Sequence, residues 1–227
     1  MKLAANLPTY LPDIGFFKKM LLADVFVLAD DYQYSKHQLI NRTRIKTASG
    51  VKWLTVPVRT KGRGKQLILS VEIDKTQHWQ RKHWKTLLVN YIYAPFFEPF
   101  MDAFESIYRK EWHRLFPLNY EIIQLLQELL EIKTPLWLSS QLKVTGRGTE
   151  KLLNILKELK CDTYLCLEGE EKFIDRQLFK ENEINLMVIP FKEKAYHQQF
   201  GTFVPGLSII DLLFNEGKQS KEIILKS

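Results

Sequence analysis

Two adjacent carboxylates, Asp30 and Asp31, follow the apolar run 25–28 almost directly and lead into Gln33, Tyr34 and Lys36. Carboxylates beside an ammonium group and a phenol are the residue types that take a proton from an amine and orient a polar substrate. An apolar run without alternation suits a strand covered on both faces, and in sheets of that kind ligands gather beyond the carboxyl ends of strands. Asp30, Asp31, Gln33, Tyr34 and Lys36 would then rim one opening. An ordinary turn with solvated aspartates is the alternative, because Asp favours turns through local hydrogen bonding.

His83, in Lys-His-Trp-Lys at 82–85, is the second candidate base, since an imidazole titrates near neutral pH. A packing histidine framed by aromatic residues is the alternative. His78 lies five residues earlier; on a helix the two rings diverge by about 140°, so no shared metal is expected. Ser139-Ser140, after Leu-Trp-Leu, could position a phosphate or sugar hydroxyl, but no Gly-x-Ser-x-Gly elbow activates either, and a strand-terminal turn explains them as well. Cys161 and Cys166 are spaced for opposite faces of an extended segment, so neither a disulfide nor a zinc site is expected. Two glycine-containing basic loops, 59–65 and 145–149, could approach an anion; a solvated hairpin is the preferred account of the first, and Thr149 capping a helix that begins at Glu150 would explain the second without a ligand. Neither loop matches a dinucleotide or P-loop pattern, and the sequence assigns no cofactor.

The elements that must position these residues read as α/β: a mixed sheet flanked by helices, with a mostly helical middle. A strand at 3–7, a helix from Pro12 to about Leu22 and the strand at 25–28 form a β-α-β opening. Strands are expected at 43–46, 52–58 and 67–73, then helices at about 77–91 and 97–113. Apolar residues of 120–132 form a helical stripe, and 136–189 alternates strand and helix. With 45% hydrophobic and 26% charged residues, 227 residues suffice for one domain with a sizeable core. No linker divides the chain, so a single domain 1–227 is expected, with a helical insertion or subdomain at about 76–133.

The net charge of +7 admits anionic small molecules, an acidic surface or nucleic acid. Basic residues are interleaved with acids and form no dense arm, which makes nucleic acid the lesser reading. Pro8 interrupts the opening before a signal-peptide core could form, and no apolar run approaches the roughly 18 residues of a membrane helix. A cytoplasmic protein without membrane insertion is expected.

Along nearly its whole length the chain resembles the WbqC-like family of bacterial cell-surface polysaccharide gene clusters. The resemblance is carried by Pro-Thr-Tyr-Leu-Pro-Asp-Ile-Gly-Phe-Phe (8–17), Asp-Asp-Tyr-Gln-Tyr-Ser-Lys (30–36), Asn41-Arg42 with Ile45-Lys46-Thr47, and Trp-Leu-Thr-Val-Pro-Val (53–58). Lys-His-Trp-Lys (82–85), Tyr91 with Ala-Pro-Phe-Phe (94–97), Ser139-Ser140, Tyr196, Gln198 and Leu-Ser-Ile-Ile-Asp-Leu-Leu-Phe-Asn-Glu-Gly (207–217) continue it. It implies a transferase, or transferase-like protein, attaching an amino-acid or acyl group to an amino sugar or its nucleotide-activated form. In that reading Asp31 or His83 takes a proton from the amine. Lys36, Arg42 and Lys46 hold anionic groups, Tyr10, Gln33, Tyr34 and Asn41 set orientation, and Ser139, Ser140, Tyr196 and Gln198 complete substrate binding.

The family pattern is broken at three places: Asn6-Leu7 replace His-Gln before the first proline, Cys166-Leu167 fall in a Tyr-Leu-Ser-Gly element, and Glu193-Lys194 replace His-Pro. These departures favour the alternative of a catalytically weakened binding or scaffold member, with a protein partner. A nucleic-acid binder is the second alternative, motivated only by charge.

Overall fold

Val25, Phe26, Val27 and Leu28 are all buried, as an unalternating apolar run requires, and form strand β2 (Val25–Leu28). The computed structural model describes residues 1–36 and 38–227. In it β2 pairs in parallel with β1 (Lys2–Asn6) on one side and β5 (Leu136–Leu138) on the other. Strands β6 (Thr163–Leu167) and β7 (Asn185–Ile189) complete a parallel sheet in the order β5-β2-β1-β6-β7. An antiparallel ladder forms in a separate hairpin of β3 (Arg42–Thr47) and β4 (Gly50–Thr55). The chain is therefore α/β, with parallel and antiparallel strands in two sheets.

Both faces of the parallel sheet are covered. Ala4, Phe26, Leu28 and Leu165 face a core shared with α1 (Ile14–Leu22), the middle helices α2 (Trp79–Tyr91), α3 (Phe97–Arg109) and α4 (Leu115–Leu129), and the closing helices α7 (Ile209–Glu216) and α8 (Ser220–Lys226). Leu3, Val27, Tyr164 and Cys166 face the other core, under α5 (Gly148–Glu158) and α6 (Arg176–Glu181). Alternate residues of one strand thus feed opposite cores, which is the strand periodicity of two. The middle helices bury Leu87, Tyr91, Phe104 and Ile122 in the same core as α1 and α7.

Two local expectations are corrected. Residues 67–73 do not form a strand: Ile68–Ser70 is a 3₁₀ turn. Its flanks make single bridges in three directions, Gln33 with Leu67, Val58 with Ile73 and Glu72 with Arg114, so no ladder can propagate. Thr149 does not cap α5, which begins a residue earlier at Gly148; its hydroxyl accepts the backbone N–H of Asp175 at 3.0 Å. That bond ties α5 to the start of α6.

Candidate functional site

The carboxyl ends of β2 and β5 are adjacent because the two strands pair, and this brings Asp30 and Asp31 against Ser139 and Ser140. Asp30, 2% exposed, is fully engaged. Its Oδ1 accepts the Ser140 N–H at 3.0 Å and faces Ser139 Oγ at 3.1 Å; its Oδ2 accepts Ser140 Oγ–H at 2.6 Å. Asp31 is more open, with Oδ1 at 2.5 Å from Ser139 Oγ and Oδ2 at 2.6 Å from Lys151 Nζ in the first turn of α5. Ser139 has one hydroxyl proton and two carboxylates to receive it, so turning it toward Asp30 frees an oxygen of Asp31. Lys151 Nζ also lies 4.8 Å from the Tyr32 ring centre. Burial, with the Asp31 charge adding, pushes the Tyr32 phenol up to about 12, so it stays protonated.

His83 belongs to a second cluster. Its Nδ1 lies 2.9 Å from Tyr10 Oη, which lies 2.6 Å from Tyr108 Oη. Either hydroxyl of the Tyr10–Tyr108 pair can donate to the other, and the His83 tautomer sets whether Nδ1 donates to Tyr10 or accepts from it. Trp79 meets the His83 ring edge-on at 5.2 Å. Burial holds the imidazole down to about 4, a hydrogen bond with the Thr55 backbone opposing and the Lys52 charge adding, and keeps it neutral at physiological pH.

Lys46, Tyr196 and Gln198 form a third cluster around a buried carboxylate that sequence reasoning did not single out, Asp211. Tyr91 Oη–H donates to its Oδ2 at 2.7 Å and Tyr196 Oη–H to its Oδ1 at 2.9 Å. The Lys46 N–H donates to Tyr91 Oη at 3.2 Å. Lys46 Nζ, itself buried, donates to Gln198 Oε1 and to the carbonyls of Gly201 and Thr202, three acceptors for three protons. Gln198 in turn clasps Val204 through both its amide atoms. Burial raises the Asp211 carboxyl above the usual carboxylate range, against the Tyr91 and Tyr196 bonds and the Lys46 charge. This network fastens residues 196–204 to β3 and α7.

The remaining candidates are spread around these clusters. Asn41 is buried and donates to the Val56 carbonyl at 2.9 Å. Arg42 lies 4.4 Å over the Trp53 ring. Tyr34 is buried and its backbone bonds Gln66, while Gln33 and Lys36 are exposed. The structure therefore brings together Asp30, Asp31, Ser139 and Ser140, joins Tyr10 to His83, and joins Lys46 to Gln198. Lys151 and Tyr108 were missed; in the sequence each is an ordinary helical residue. Tyr91 and Asp211 lie in family blocks without a spacing that marks them.

Asn6, Leu167 and Glu193, read from the sequence as departures from the family pattern, lie near the point where the strand order reverses. Asn6 ends β1, Leu167 ends β6, and Leu167 packs so tightly on the first turn of α1 that a Cβ at Gly15 would stand 2.9 Å from its Cδ1. Phe191 lies against the same glycine, and Lys19, paired with Glu170 at 2.7 Å, reaches the Ala5 carbonyl beside them. Glu193 accepts the Gly206 N–H at 2.7 Å and feels Asp13, the α1 cap; burial raises both carboxyls, with Arg44 opposing. Leu167, Phe191 and Lys19 thus pack around the first turns of α1, beside the crevice where doubly wound sheets often hold a ligand.

A doubly wound parallel sheet with an acid, hydroxyl and ammonium cluster at its strand ends defines an α/β protein. The chain belongs to the WbqC-like protein family, whose model matches residues 8–223. It is 34% identical over 225 residues to uncharacterized protein Rv1507c of Mycobacterium tuberculosis (strain ATCC 25618 / H37Rv), covering 98% of this chain and 97% of that one. No solved structure matches. Among the described residues, no helix is long and apolar enough to cross a membrane, and no three His, Cys, Asp or Glu side chains are grouped to hold a metal.

Proposed function

We propose that the chain is a transferase-like protein of cell-surface glycan biosynthesis that acts in the cytoplasm. It joins an amino-acid or acyl group to an amino sugar or its nucleotide-activated form at the carboxyl ends of β2 and β5. The observation that carries this reading is the placement of Asp31 between Ser139 Oγ and Lys151 Nζ, at 2.5 and 2.6 Å. Ser139 turns its proton to Asp30, and Asp31 takes one from the attacking neutral amine. The nitrogen forms the new bond to the acyl carbon, and the acyl carrier leaves with the bonding electrons. Lys151 supplies positive charge beside the oxygen that becomes negative in the transition state. His83 holds Tyr10 in place in this scheme, its Nδ1 lying 2.9 Å from Tyr10 Oη.

A binding or scaffold role is the second reading. It is favoured by the packing of Leu167 and Phe191 on Gly15 beside the crevice between β1 and β6. Deleting the gene and measuring surface-glycan mass tests the first reading. Loss of an acyl or aminoacyl increment, restored by the wild-type gene and not by Asp31→Asn, is expected; an unchanged glycan contradicts it.

A further inference from the structure

A groove of about 490 Å³ opens between β4 and α2, with Lys52, Lys82 and Lys85 on its rim. Trp53 and Val89 form its walls, and buried His83 lies at its base. Among the described residues, no carboxylate lines it and none of the three ammonium groups joins an ion pair. Lys82 and Lys85 stand one turn apart on α2, a spacing at which like charges repel, and Lys52 adds a third cation from the facing strand. Three cations lining one groove without an acid raise the local concentration of anions.

Trp53 gives the groove its second character. It is 45% exposed, unusual for so large an apolar side chain, and the guanidinium of Arg44, its direct partner across the hairpin, lies 5.7 Å from its ring. Arg42 lies at 4.4 Å. An indole fixed by neighbouring side chains beside a cationic rim offers a flat surface for a ring.

We propose that this groove binds a phosphate or diphosphate group attached to a planar or sugar ring, with Lys52, Lys82 and Lys85 on the phosphate oxygens and Trp53 against the ring. A single carboxylate would engage fewer of the three cations; a phosphate presents oxygens in several directions. The proposal stands independently of the transferase reading, since the groove contains neither Asp31 nor Lys151.

Titration calorimetry with inorganic pyrophosphate and with uridine diphosphate tests it on the full chain. Both should bind, uridine diphosphate at least fivefold more tightly. The double variant K82Q/K85Q should weaken both by tenfold or more. W53A should remove the advantage of uridine diphosphate and leave pyrophosphate within twofold. A control, K143Q/K160Q, removes two exposed lysines outside the groove and should change neither. Thermal unfolding confirms that each variant is folded, and K85Q alone serves if the double variant is not. No binding by the wild type, or equal losses in the control, overturns the proposal. Tighter binding of a single-stranded oligonucleotide than of uridine diphosphate also overturns it and identifies a polyanion surface instead.

Discussion

Lys151 Nζ lies 2.6 Å from Asp31 Oδ2, joining the first turn of α5 to the loop beyond β2 across 120 residues of chain. The pair is largely covered, with side-chain exposures of 11% and 21%. Removing one partner leaves the other without its counter-charge in a poorly hydrated place. Lys151→Met should therefore destabilise the fold by about 2 kcal/mol, below the range for fully buried pairs. Adding Asp31→Asn should recover part of that loss. A double-mutant cycle from urea unfolding reads the coupling, and additive effects would show that the pair contributes nothing.

His83 sets a pH dependence whose direction follows from its burial. The unfolded chain takes up the proton near pH 6.5 and the native chain only near 4, so between those values the unfolded state binds more protons. The contribution is fully present above pH 6.5 and is lost as pH falls to about 4. It amounts to about 3 kcal/mol over that window. His83→Gln should flatten this slope in denaturant unfolding at a series of pH values. An unchanged slope would mean that His83 is accessible to protons in the native state.

Asp211 works in the opposite sense. Burial raises its carboxyl, so the native state keeps the proton to higher pH than the unfolded chain does. Its contribution is present below the unfolded carboxylate pKa and is lost as pH rises through the native one. Asp211→Asn should be destabilising at every pH, because one amide oxygen replaces two carboxylate oxygens for Tyr91 and Tyr196. The difference from wild type should narrow as pH rises through the native pKa, as thermal unfolding would record.

Gly217 closes the family block 207–217 for a steric reason. Its φ is +54° with ψ −125°, and a Cβ there would meet the Phe96 ring at 2.5 Å. Phe96 is also tied by its backbone N–H to the Phe214 carbonyl, so its ring, 39% exposed, can retreat only by turning about its own side-chain bonds. Gly217→Ala should cost about 2 kcal/mol or more in chemical denaturation. A loss below about 0.5 kcal/mol would show that the ring moves freely.

The sequence announces the chemistry of the strand ends better than their assembly. The run 25–28 is readable as a doubly covered strand, and the acids after it as strand-end residues. That they meet Ser139 and Ser140 depends on β5 lying beside β2, a pairing across more than 100 residues that no local pattern encodes. Lys151 was invisible because a lysine in the first turn of a helix reads as solvated until its neighbour is known. His83 is placed on a helix by periodicity, but only the packing of Trp79, Tyr10 and Tyr108 engages it inside the protein. Residues 67–73 alternate as a strand would, yet their hydrogen-bond partners come from three segments, and a turn results.

Under the proposed function Asp31 takes a proton in group transfer to a substrate amine. The most direct measurement is amide formation, followed by mass spectrometry, when purified protein is incubated with nucleotide-activated amino sugars and acyl or aminoacyl donors. The wild type should form a product carrying the donor's mass increment. Asp31→Asn, folded and still binding the sugar nucleotide, should form it at least about 10²-fold more slowly. Equal rates in the two proteins would contradict the role of Asp31, and sugar-nucleotide binding without product from any donor would contradict the transferase reading itself.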